Sequence, residues 1–402
     1  MKIKTDISKI EEILARSVDS VYPSKKVVKD ALLSGKQLKI YVGIDPTADY
    51  VHLGHSTNYL LLERLHELGH KIIVLVGDFT AMIGDPSDKT SARVRLTREE
   101  ILKNVKTFKK QIGKILDFDN PQNPVEFKFN SEWLSKLNFE QLADLASNFT
   151  VQQMIERDMF EKRIAEGKPL YVHEFFYPLM QGYDSVALGV DMEIGGTDQT
   201  FNMLAGRTLV RRYQNREKYI ITTTLLVNPV TGEKMMSKSF GTGIGLDEPP
   251  KDMFGKTMAL PDAGIIQVFV DCTRLPMDEI KKKKARLEKG ENPRNLKLEL
   301  AQEIVRMYHG EKAALSAEKE FLSVHRDRNL PEEMREFKGA GKSIVKILVE
   351  SSLAKSASDA RRLIDQGGVK INGQVLEKGD YGRISSKDVV LQVGKRNFIK
   401  IK

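Results

Sequence analysis

Apolar and polar residues follow two different periods in the first eighty residues. The segment LKIYVGI (residues 38–44) is rich in β-branched and aromatic residues and predicts a strand. Residues 61–68 contain four leucines at helical spacing, and Gly69 behind them is a good helix terminator. The continuous apolar run 72–76 predicts a second, buried strand. Strand, helix and buried strand in this order form a βαβ unit, which implies a parallel sheet.

The same pattern extends through the first two-thirds of the chain. Further strand candidates follow, separated by helical stretches: 125–129, 191–194 and 220–226. Residues 1–228 are therefore predicted to form an α/β domain, a doubly wound (Rossmann-like) parallel sheet covered by helices. Strand signals are missing between residues 247 and 326, where a Lys- and Glu-rich sequence has helical periodicity, so we expect a helical domain over 229–328.

The last part of the chain has a composition of its own. The polar stretch 329–341 predicts a linker. Residues 342–402 predict a small α+β domain with two short helices, the second ending at Gly367-Gly368, and a hairpin that turns at Asn372-Gly373. Residues 341–402 hold 13 Lys or Arg against 6 Asp or Glu, which is most of the net charge of +9. This excess fits a polyanionic partner, although a solvated surface explains the charge alone equally well.

Composition excludes several classes of protein. Hydrophobic residues make up 41% and charged residues 30%, a balance typical of folded domains. The longest strongly apolar run is too short to cross a membrane and the N-terminus lacks the apolar core of a signal peptide, so we expect a cytoplasmic protein. One cysteine, Cys272, excludes a disulfide scaffold, and seven scattered histidines offer no zinc-ligand spacing, so no metal site is expected.

Two imidazoles flank a glycine where the first predicted helix of the βαβ unit begins, in His52-Leu53-Gly54-His55. The backbone N–H groups and the dipole of a helix N-terminus already favour an anion. The glycine lets a flat ring or a phosphate approach the backbone, and each imidazole can donate a hydrogen bond to a phosphate oxygen. The alternative is a pair of surface or capping histidines.

A second candidate lies in the segment NPVTGEKMMSKSFGTG. Its three glycines indicate a loop, and Lys238 supplies a compact cation suited to phosphate. Alone, this segment is most simply a polar surface loop. Together with an HxGH segment on a βαβ unit, it indicates a nucleotide site.

Together the two segments resemble the HIGH and KMSKS signatures of class I aminoacyl-tRNA synthetases. The stretches YVGIDPTADYVHLGH, GDPSDKTSAR, YPLMQGYDS and IGGTDQ are similar to those of the tyrosyl-tRNA synthetase family, and the C-terminal segment resembles the small RNA-binding module of its bacterial members. The resemblance covers nearly the whole chain. It implies a ligase that activates L-tyrosine with ATP, giving tyrosyl-adenylate and pyrophosphate, and then transfers tyrosine to the 3′ end of tRNA(Tyr).

The resemblance also implies partners. ATP is a substrate that arrives with Mg²⁺ held largely through phosphates and water, and no tightly bound cofactor is expected. Family members are homodimers, so we expect a homodimer with an interface insertion within residues 1–228. The anticodon region of the tRNA would contact 229–328, and no membrane contact is expected. In the C-terminal module the expected phosphate contacts are Lys355, Arg361, Arg362 and Lys370.

The tyrosine-binding residues that the resemblance implies are Tyr41, Asp85, Tyr177, Gln181, Asp184 and Gln199. Tyr41 and Asp184 would face the substrate phenol, one donating to its oxygen and the other accepting its proton. Asp85, Tyr177 and Gln181 would hold the ammonium. Tyr177, Gln181 and Asp184 also stand at i, i+4 and i+7, which places them on one face of a helix.

The implied ATP-binding residues are Asp45, Gly54, Gly196, Asp198 and Lys238. The implied catalytic residues, which would contact the phosphates, are Thr47, His52, His55, Lys89, Arg93 and Lys238. The carboxylate of an amino acid is already a nucleophile, so the protein would supply alignment and stabilisation of the charge on the leaving pyrophosphate.

Two positions depart from the family pattern. Counted back from Ser239, the first loop position is Met235 rather than a lysine, and Lys234 lies one residue earlier. Either the loop carries an extra residue and Lys234 fills the role, or that cation is missing and Lys238 acts alone. Thr200 stands where many members have a larger residue.

Three alternatives remain open at this point. A tryptophanyl enzyme would share the fold and both signatures. A non-catalytic RNA-binding protein on a synthetase scaffold is favoured only by Met235. Another HxGH nucleotidyltransferase would have no use for the IGGTDQ segment or for the basic module.

Overall fold

The structure, a computed structural model, describes residues 2–86, 96–156, 158–236, 243–326, 334–394 and 397–402. The chain divides into two compact units, residues 1–317 and residues 318–402. The predicted boundary at residue 228 lies inside the first unit, so the helical segment that follows it belongs to the same unit as the sheet.

A six-stranded sheet forms the centre of the first unit, in the order β1-β6-β5-β2-β3-β4. Its strands are β1 (Val18–Tyr22), β2 (Lys39–Ile44), β3 (Lys71–Val76), β4 (Glu126–Phe129), β5 (Met192–Gly196) and β6 (Tyr219–Thr223). The strands from β6 to β4 run parallel, as the βαβ pattern predicts. The edge strand β1, which pairs antiparallel with β6, was not predicted because VDSVY shows neither alternation nor a continuous apolar run.

Helices cover the sheet and form the segment that follows it. Those that begin in the first unit are α1 (Ile7–Ile13), α2 (Lys25–Leu33), α3 (Leu53–Glu67), α4 (Thr80–Ile83), α5 (Arg98–Val105), α6 (Phe108–Ile112), α7 (Ser131–Leu134), α8 (Phe139–Ala146), α9 (Val151–Ile155), α10 (Asp158–Ala165), α11 (Phe176–Leu188), α12 (Thr200–Gln214), α13 (Pro250–Met258), α14 (Ile265–Cys272), α15 (Met277–Glu288), α16 (Pro293–His309) and α17 (Glu311–Arg326). Short 3₁₀ turns lie at Val172–Phe175, Thr197–Gln199 and Asp262–Gly264. Within the described ranges, no helix combines the length and the apolar character needed to cross a membrane.

Helices α11 and α12 cross at close range because glycines stand at their contact. A Cβ atom on Gly206 would lie 3.4 Å from the Cα of Gly182 and 2.9 Å from the Oγ of Ser185. It would also overlap the ammonium of Lys218, which has no exposed surface. The absence of a side chain at Gly206 therefore makes room for a buried cation between α12 and the sheet.

Replacing Gly206 by alanine is expected to lower the free energy of unfolding by about 2 kcal/mol, because the new methyl group enters a packed crossing. Gly255→Ala in α13 is the matched control: no atom lies within 4 Å of the added Cβ, so better helix propensity should raise stability by up to ~1 kcal/mol. Urea unfolding measures both changes. Equal changes would show that the α11–α12 crossing tolerates a larger residue.

In its described residues, the second unit contains a five-stranded sheet in the order β7-β11-β10-β8-β9, two α-helices that lie wholly within it, the end of α17 and a 3₁₀ turn at Asp380–Gly382. Its elements are β7 (Arg335–Phe337), α18 (Ile344–Glu350), α19 (Ala357–Asp365), β8 (Val369–Ile371), β9 (Gln374–Val375), β10 (Val389–Val393) and β11 (Asn397–Ile401). The predicted hairpin is confirmed: β8 and β9 pair antiparallel, and Asn372 and Gly373 both have positive φ.

The linker prediction for 329–341 needs a correction. Residues 335–337 form β7 and pair in parallel with β11, so this part of the segment belongs to the C-terminal sheet. The sequence concealed the strand because it is only three residues long and two of them, Arg335 and Glu336, are charged and exposed. Its pairing with β11 defines it. The core beneath the sheet is apolar and includes Ile347, Ile364 and Leu391.

Candidate active site

A cavity of about 550 Å³ opens at the carboxyl ends of β2, β3, β5 and β6. It lies where the chain order of the strands reverses around β2, the usual place for ligands in open α/β sheets. The predicted site residues that line it are Tyr41, Asp45, Thr47, His52, Gly54, His55, Asp85, Tyr177, Gln181, Asp184, Gly196, Asp198 and Gln199. The other three, Lys89, Arg93 and Lys238, lie outside the described residues.

The two histidines of the HxGH segment are fixed against each other at the start of α3. His52 caps the helix, and its Nδ1 accepts a hydrogen bond from the N–H of Gly54 at 3.1 Å. The Nδ1 of His55 accepts from the N–H of His52 at 3.2 Å, and the two rings stack with centroids 3.8 Å apart. Because both Nδ1 atoms are acceptors, the proton of each neutral ring lies on Nε2. Each imidazole is thus an N–H donor beside a helix N-terminus, a combination that suits phosphate.

The segment before the second signature reaches the same cavity. A Cβ on Gly54 would lie 3.4 Å from the Cβ of Met236, so the two signatures approach each other closely. Lys234 lines the cavity with its Nζ 3.5 Å from a carboxylate oxygen of Asp198. Met235 is only 6% exposed. This geometry favours the interpretation in which the loop carries an extra residue and Lys234 supplies the cation.

Asp198 reaches the cavity from the turn between β5 and α12. A Cβ on Gly196 would lie 2.6 Å from the Oδ1 of Asp198, so glycine allows the carboxylate to fold back over the end of the strand. Thr47 stands on the opposite side of the cavity, in the turn after β2, where its N–H bonds to the carbonyl of Asp45 at 2.8 Å. The carboxylate of Asp198 can accept hydrogen bonds from ribose hydroxyls.

The inner end of the cavity holds two buried groups, Tyr41 and Asp184. The carboxylate of Asp184 accepts hydrogen bonds from the indole of Trp133 at 2.7 Å and from the amide of Asn130 at 3.2 Å. The hydroxyl of Tyr41 lies 2.9 Å from that of Ser185. Burial raises the pKa of both Tyr41 and Asp184, and the two donors on Asp184 oppose that shift. A phenol entering this end would meet a carboxylate held in place from behind.

Two further carboxylates line the cavity nearer to α4 and α11. Asp45 accepts hydrogen bonds from the hydroxyl of Tyr177 at 2.9 Å and from that of Thr80 at 2.8 Å. Asp85 accepts from the amide of Gln199 at 2.7 Å. The resemblance assigned Asp45 to ATP, whereas its bond to Tyr177 joins it to the group expected around the substrate ammonium. Carboxylates and a phenol oxygen are suitable neighbours for a cation.

Five residues in and behind the cavity wall were missed by sequence reasoning: Asn130 and Glu193, which line the cavity, and Trp133, Ser185 and Lys218, which lie behind it. Glu193 and Lys218 form an ion pair with at most 1% of either residue exposed. A charged residue inside the buried strand predicted over 191–194 was the one available signal, since a buried charge requires a partner. The partner itself depends on the pairing of β5 with β6 and could not be read from the sequence.

In the second unit, the four basic residues proposed for RNA lie on and beside α19. Arg361 stacks its guanidinium over the ring of Tyr381, 5.9 Å from the centroid, and Arg362 pairs with Asp359 at 2.5 Å. Lys355 precedes the helix, and Lys370 lies in the middle of β8. In the described part of the chain, no group of three or more His, Cys, Asp or Glu side chains could hold a metal ion.

Comparison with known proteins agrees with this geometry. Residues 33–326 match the family "tRNA synthetases class I (W and Y)", and residues 343–382 match the S4 domain. The tyrosine–tRNA ligase of Carboxydothermus hydrogenoformans is 44% identical over 97% of this chain and 97% of its own length, and that of Haemophilus influenzae is 43% identical over 99% and 98%. A C-terminally truncated mitochondrial tyrosyl-tRNA synthetase of Aspergillus nidulans shares the fold, with a TM-score of 0.66 at 22% identity over 79% of this chain and 93% of its own.

The fold, the HxGH segment and the family match define a class I aminoacyl-tRNA synthetase. Identities of 41–44% over nearly the full length decide between the two specificities of that family. The chain belongs to the tyrosine–tRNA ligase family. The tryptophanyl alternative is therefore not supported.

Proposed function

We propose that this chain activates L-tyrosine with ATP, releasing pyrophosphate, and then transfers the tyrosyl group to the 3′ end of tRNA(Tyr). One observation carries the proposal: a single cavity joins a buried Tyr41–Asp184 end, suited to a phenol, to two imidazole N–H donors at a helix N-terminus, suited to phosphate. The position of Lys234 beside this cavity supports the proposal that it replaces the lysine missing at Met235, the feature that favoured a non-catalytic relative.

Substrate tyrosine would lie along α11. Its phenol would donate to Asp184, while its ammonium would lie among the oxygens of Asp85, Tyr177 and Gln181. Phenylalanine would leave Asp184 buried without that donor, and an unsatisfied buried acceptor costs binding energy. The cavity thus selects its amino acid by hydrogen bonding at both ends.

In the first step an oxygen of the tyrosine carboxylate attacks the α-phosphorus of ATP, and the bond from that phosphorus to the pyrophosphate oxygen breaks. The Nε2–H groups of His52 and His55 would donate to phosphate oxygens as charge moves onto pyrophosphate. Asp198 would accept from the ribose, and Lys234 adds a positive charge on the same side. Mg²⁺ would arrive with the phosphates of ATP and be held mainly by them and by water.

In the second step a terminal ribose hydroxyl of the tRNA attacks the carbonyl carbon of tyrosyl-adenylate, and AMP leaves.

The cations predicted from the sequence, Lys89, Arg93 and Lys238, are proposed to act on the pyrophosphate in the first step. The tRNA contacts proposed for the second unit are phosphate contacts from Lys355, Arg361, Arg362 and Lys370.

Changing Lys355, Arg361 and Lys370 together to alanine is expected to raise the KM for tRNA at least ~10-fold. The slope of the logarithm of the binding constant against the logarithm of the salt concentration should become shallower by about three, one for each phosphate that is no longer neutralised. Tyrosine-dependent ATP–pyrophosphate exchange should not change. The matched control changes Lys387, Lys400 and Lys402 together to alanine, which also removes three positive charges but from a different part of the same unit. Equal effects in both variants would show a contribution of net charge alone.

A homodimer and a cytoplasmic location complete the proposal. Large apolar side chains stand exposed in the segment 139–172, where Phe139 is 86% and Val172 72% exposed. Apolar side chains exposed to this degree are better explained by a second copy of the chain covering them than by contact with water. Sedimentation at increasing protein concentration tests this directly.

The test of the activity is ATP–pyrophosphate exchange without tRNA, measured with each of the twenty amino acids. Exchange with tyrosine alone supports the proposed chemistry and specificity. Exchange with tryptophan would show that the substrate is tryptophan and overturn the proposed specificity. Folded protein that exchanges with no amino acid would overturn the catalytic proposal.

A further inference from the structure

A buried ion pair belongs to the wall of the proposed tyrosine cavity: Glu193 lines the cavity, and Lys218 lies behind Glu193. The ammonium of Lys218 donates to the carboxylate of Glu193 and, at 3.1 Å, to the backbone carbonyl of Met203. Lys218 is 0% and Glu193 1% exposed. The cost of removing two charges from water can exceed their mutual attraction unless further hydrogen bonds satisfy both groups.

The second oxygen of Glu193 connects this pair to the site. It accepts a hydrogen bond from the Nε2 of Gln181 at 3.0 Å, and Gln181 lines the cavity. The Oε1 of Gln181 is buried and has no hydrogen-bond partner within the described part of the chain. A buried amide oxygen without a donor is costly, and a ligand in the cavity is the donor that it lacks.

The orientation of the Gln181 amide therefore depends on the charge of Glu193. An ionised carboxylate only accepts hydrogen bonds, so it holds the NH₂ group of Gln181 and leaves Oε1 for the substrate. A protonated carboxyl group could donate to Oε1 instead. The amide would then turn its NH₂ group, a donor, toward the position of the substrate ammonium.

We infer that Lys218 is a positioning residue: through Glu193 it fixes the amide of Gln181 so that an oxygen faces the ammonium of the amino acid. The inference rests on the proposed function, since it assumes an amino acid in the cavity. Gly206 belongs to the same arrangement, because any side chain there would overlap the ammonium of Lys218. Burial lowers the pKa of Lys218, and the facing Glu193 carboxylate opposes that shift and favours the charged pair.

The test compares two ligands that differ only at the amino group, tyrosine and 3-(4-hydroxyphenyl)propionate, by calorimetric titration of the full-length protein. In Lys218→Met the carboxyl of Glu193 loses its cation, so binding of tyrosine should weaken about 10-fold. Binding of the deamino ligand, which does not use the amide oxygen of Gln181, should change less than about two-fold. In exchange assays the KM for tyrosine should rise while kcat changes little.

Two further variants complete the experiment. Lys71→Met removes an ion-paired lysine at the amino end of neighbouring β3 and should leave both ligands unaffected. Adding Glu193→Gln to Lys218→Met supplies an uncharged oxygen acceptor for Gln181 and should recover at least about three-fold of the lost tyrosine affinity. It also provides a charge-free pair if the single variant fails to fold.

Equal weakening of both ligands in Lys218→Met, or no recovery in the double variant, would overturn the inference and leave the pair a purely structural role. Failure of the proposed function looks different, because wild-type protein would then bind neither ligand and would not exchange pyrophosphate with tyrosine.

Discussion

Replacing His52 by asparagine is expected to lower the rate of tyrosyl-adenylate formation about 100-fold while leaving tyrosine affinity nearly unchanged. The Oδ1 of asparagine can take the place of Nδ1 as acceptor for the N–H of Gly54, so the cap of α3 should persist. What disappears is the Nε2–H donor. The proposal places that donor on the phosphate whose charge grows during the reaction, so its loss should appear in kcat more than in the KM for ATP.

The control for this prediction is His52→Gln, whose Nε2 lies close to that of histidine but whose side chain cannot cap Gly54 in the same way. It should retain more activity than His52→Asn and lose more stability, by about 1 kcal/mol. Pre-steady-state adenylate formation and urea unfolding separate the two effects. If His52→Asn were both the more stable and the more active of the two variants, His52 would act as a cap and take no part in the chemistry.

Replacing Asp184 by asparagine is expected to lower kcat/KM for tyrosine about 100-fold, with a much smaller loss for phenylalanine. The carboxylate already accepts from Trp133 and Asn130, so a phenol is the third donor to a buried acceptor. Asparagine has only one side-chain oxygen, and its NH₂ group takes the place of the second carboxylate oxygen. This NH₂ group is a hydrogen-bond donor and would face the O–H donor of the phenol. Discrimination between the two amino acids should therefore shrink.

Exchange assays with both amino acids measure that ratio. Tyr41→Phe is the comparison, since it removes a hydroxyl that lies 2.9 Å from Ser185 but leaves Asp184 intact, and a smaller loss of discrimination is expected. If Asp184→Asn discriminates as the wild type does, Asp184 does not contact the phenol.

The sequence predicted the parts of the site that depend on local pattern. The buried strands, the helix after His52 and the common face of Tyr177, Gln181 and Asp184 all follow from periodicity and spacing, and the structure confirms each. The family resemblance added roles that spacing could not supply. Those roles stay predictions, whereas periodicity succeeds for the elements because each of them is encoded in one short stretch of chain.

Contacts between distant stretches were not predictable in this way. Trp133 reaches Asp184 across 51 positions, and Lys218 reaches Glu193 only because β5 and β6 are neighbours in the sheet. The edge strand β1 and the strand at 335–337 likewise owe their conformation to partners far along the chain. Pairing energy between strands, and not local composition, decides such elements.

Helix α11 also fixes the spacing between two residues that line the cavity. Tyr177 and Asp184 line the same cavity from positions seven residues apart, and at 1.5 Å per residue their backbones stand about 10 Å apart along the axis. In the proposed function, one helix would therefore set the distance between the group that receives the ammonium and the group that receives the phenol. A longer or shorter amino acid would then place only one of its two polar groups correctly. A change of specificity by length would require a different separation of these residues along the helix, whereas a change of polarity at the same length would require new side chains at the phenol end, at residues 41 and 184.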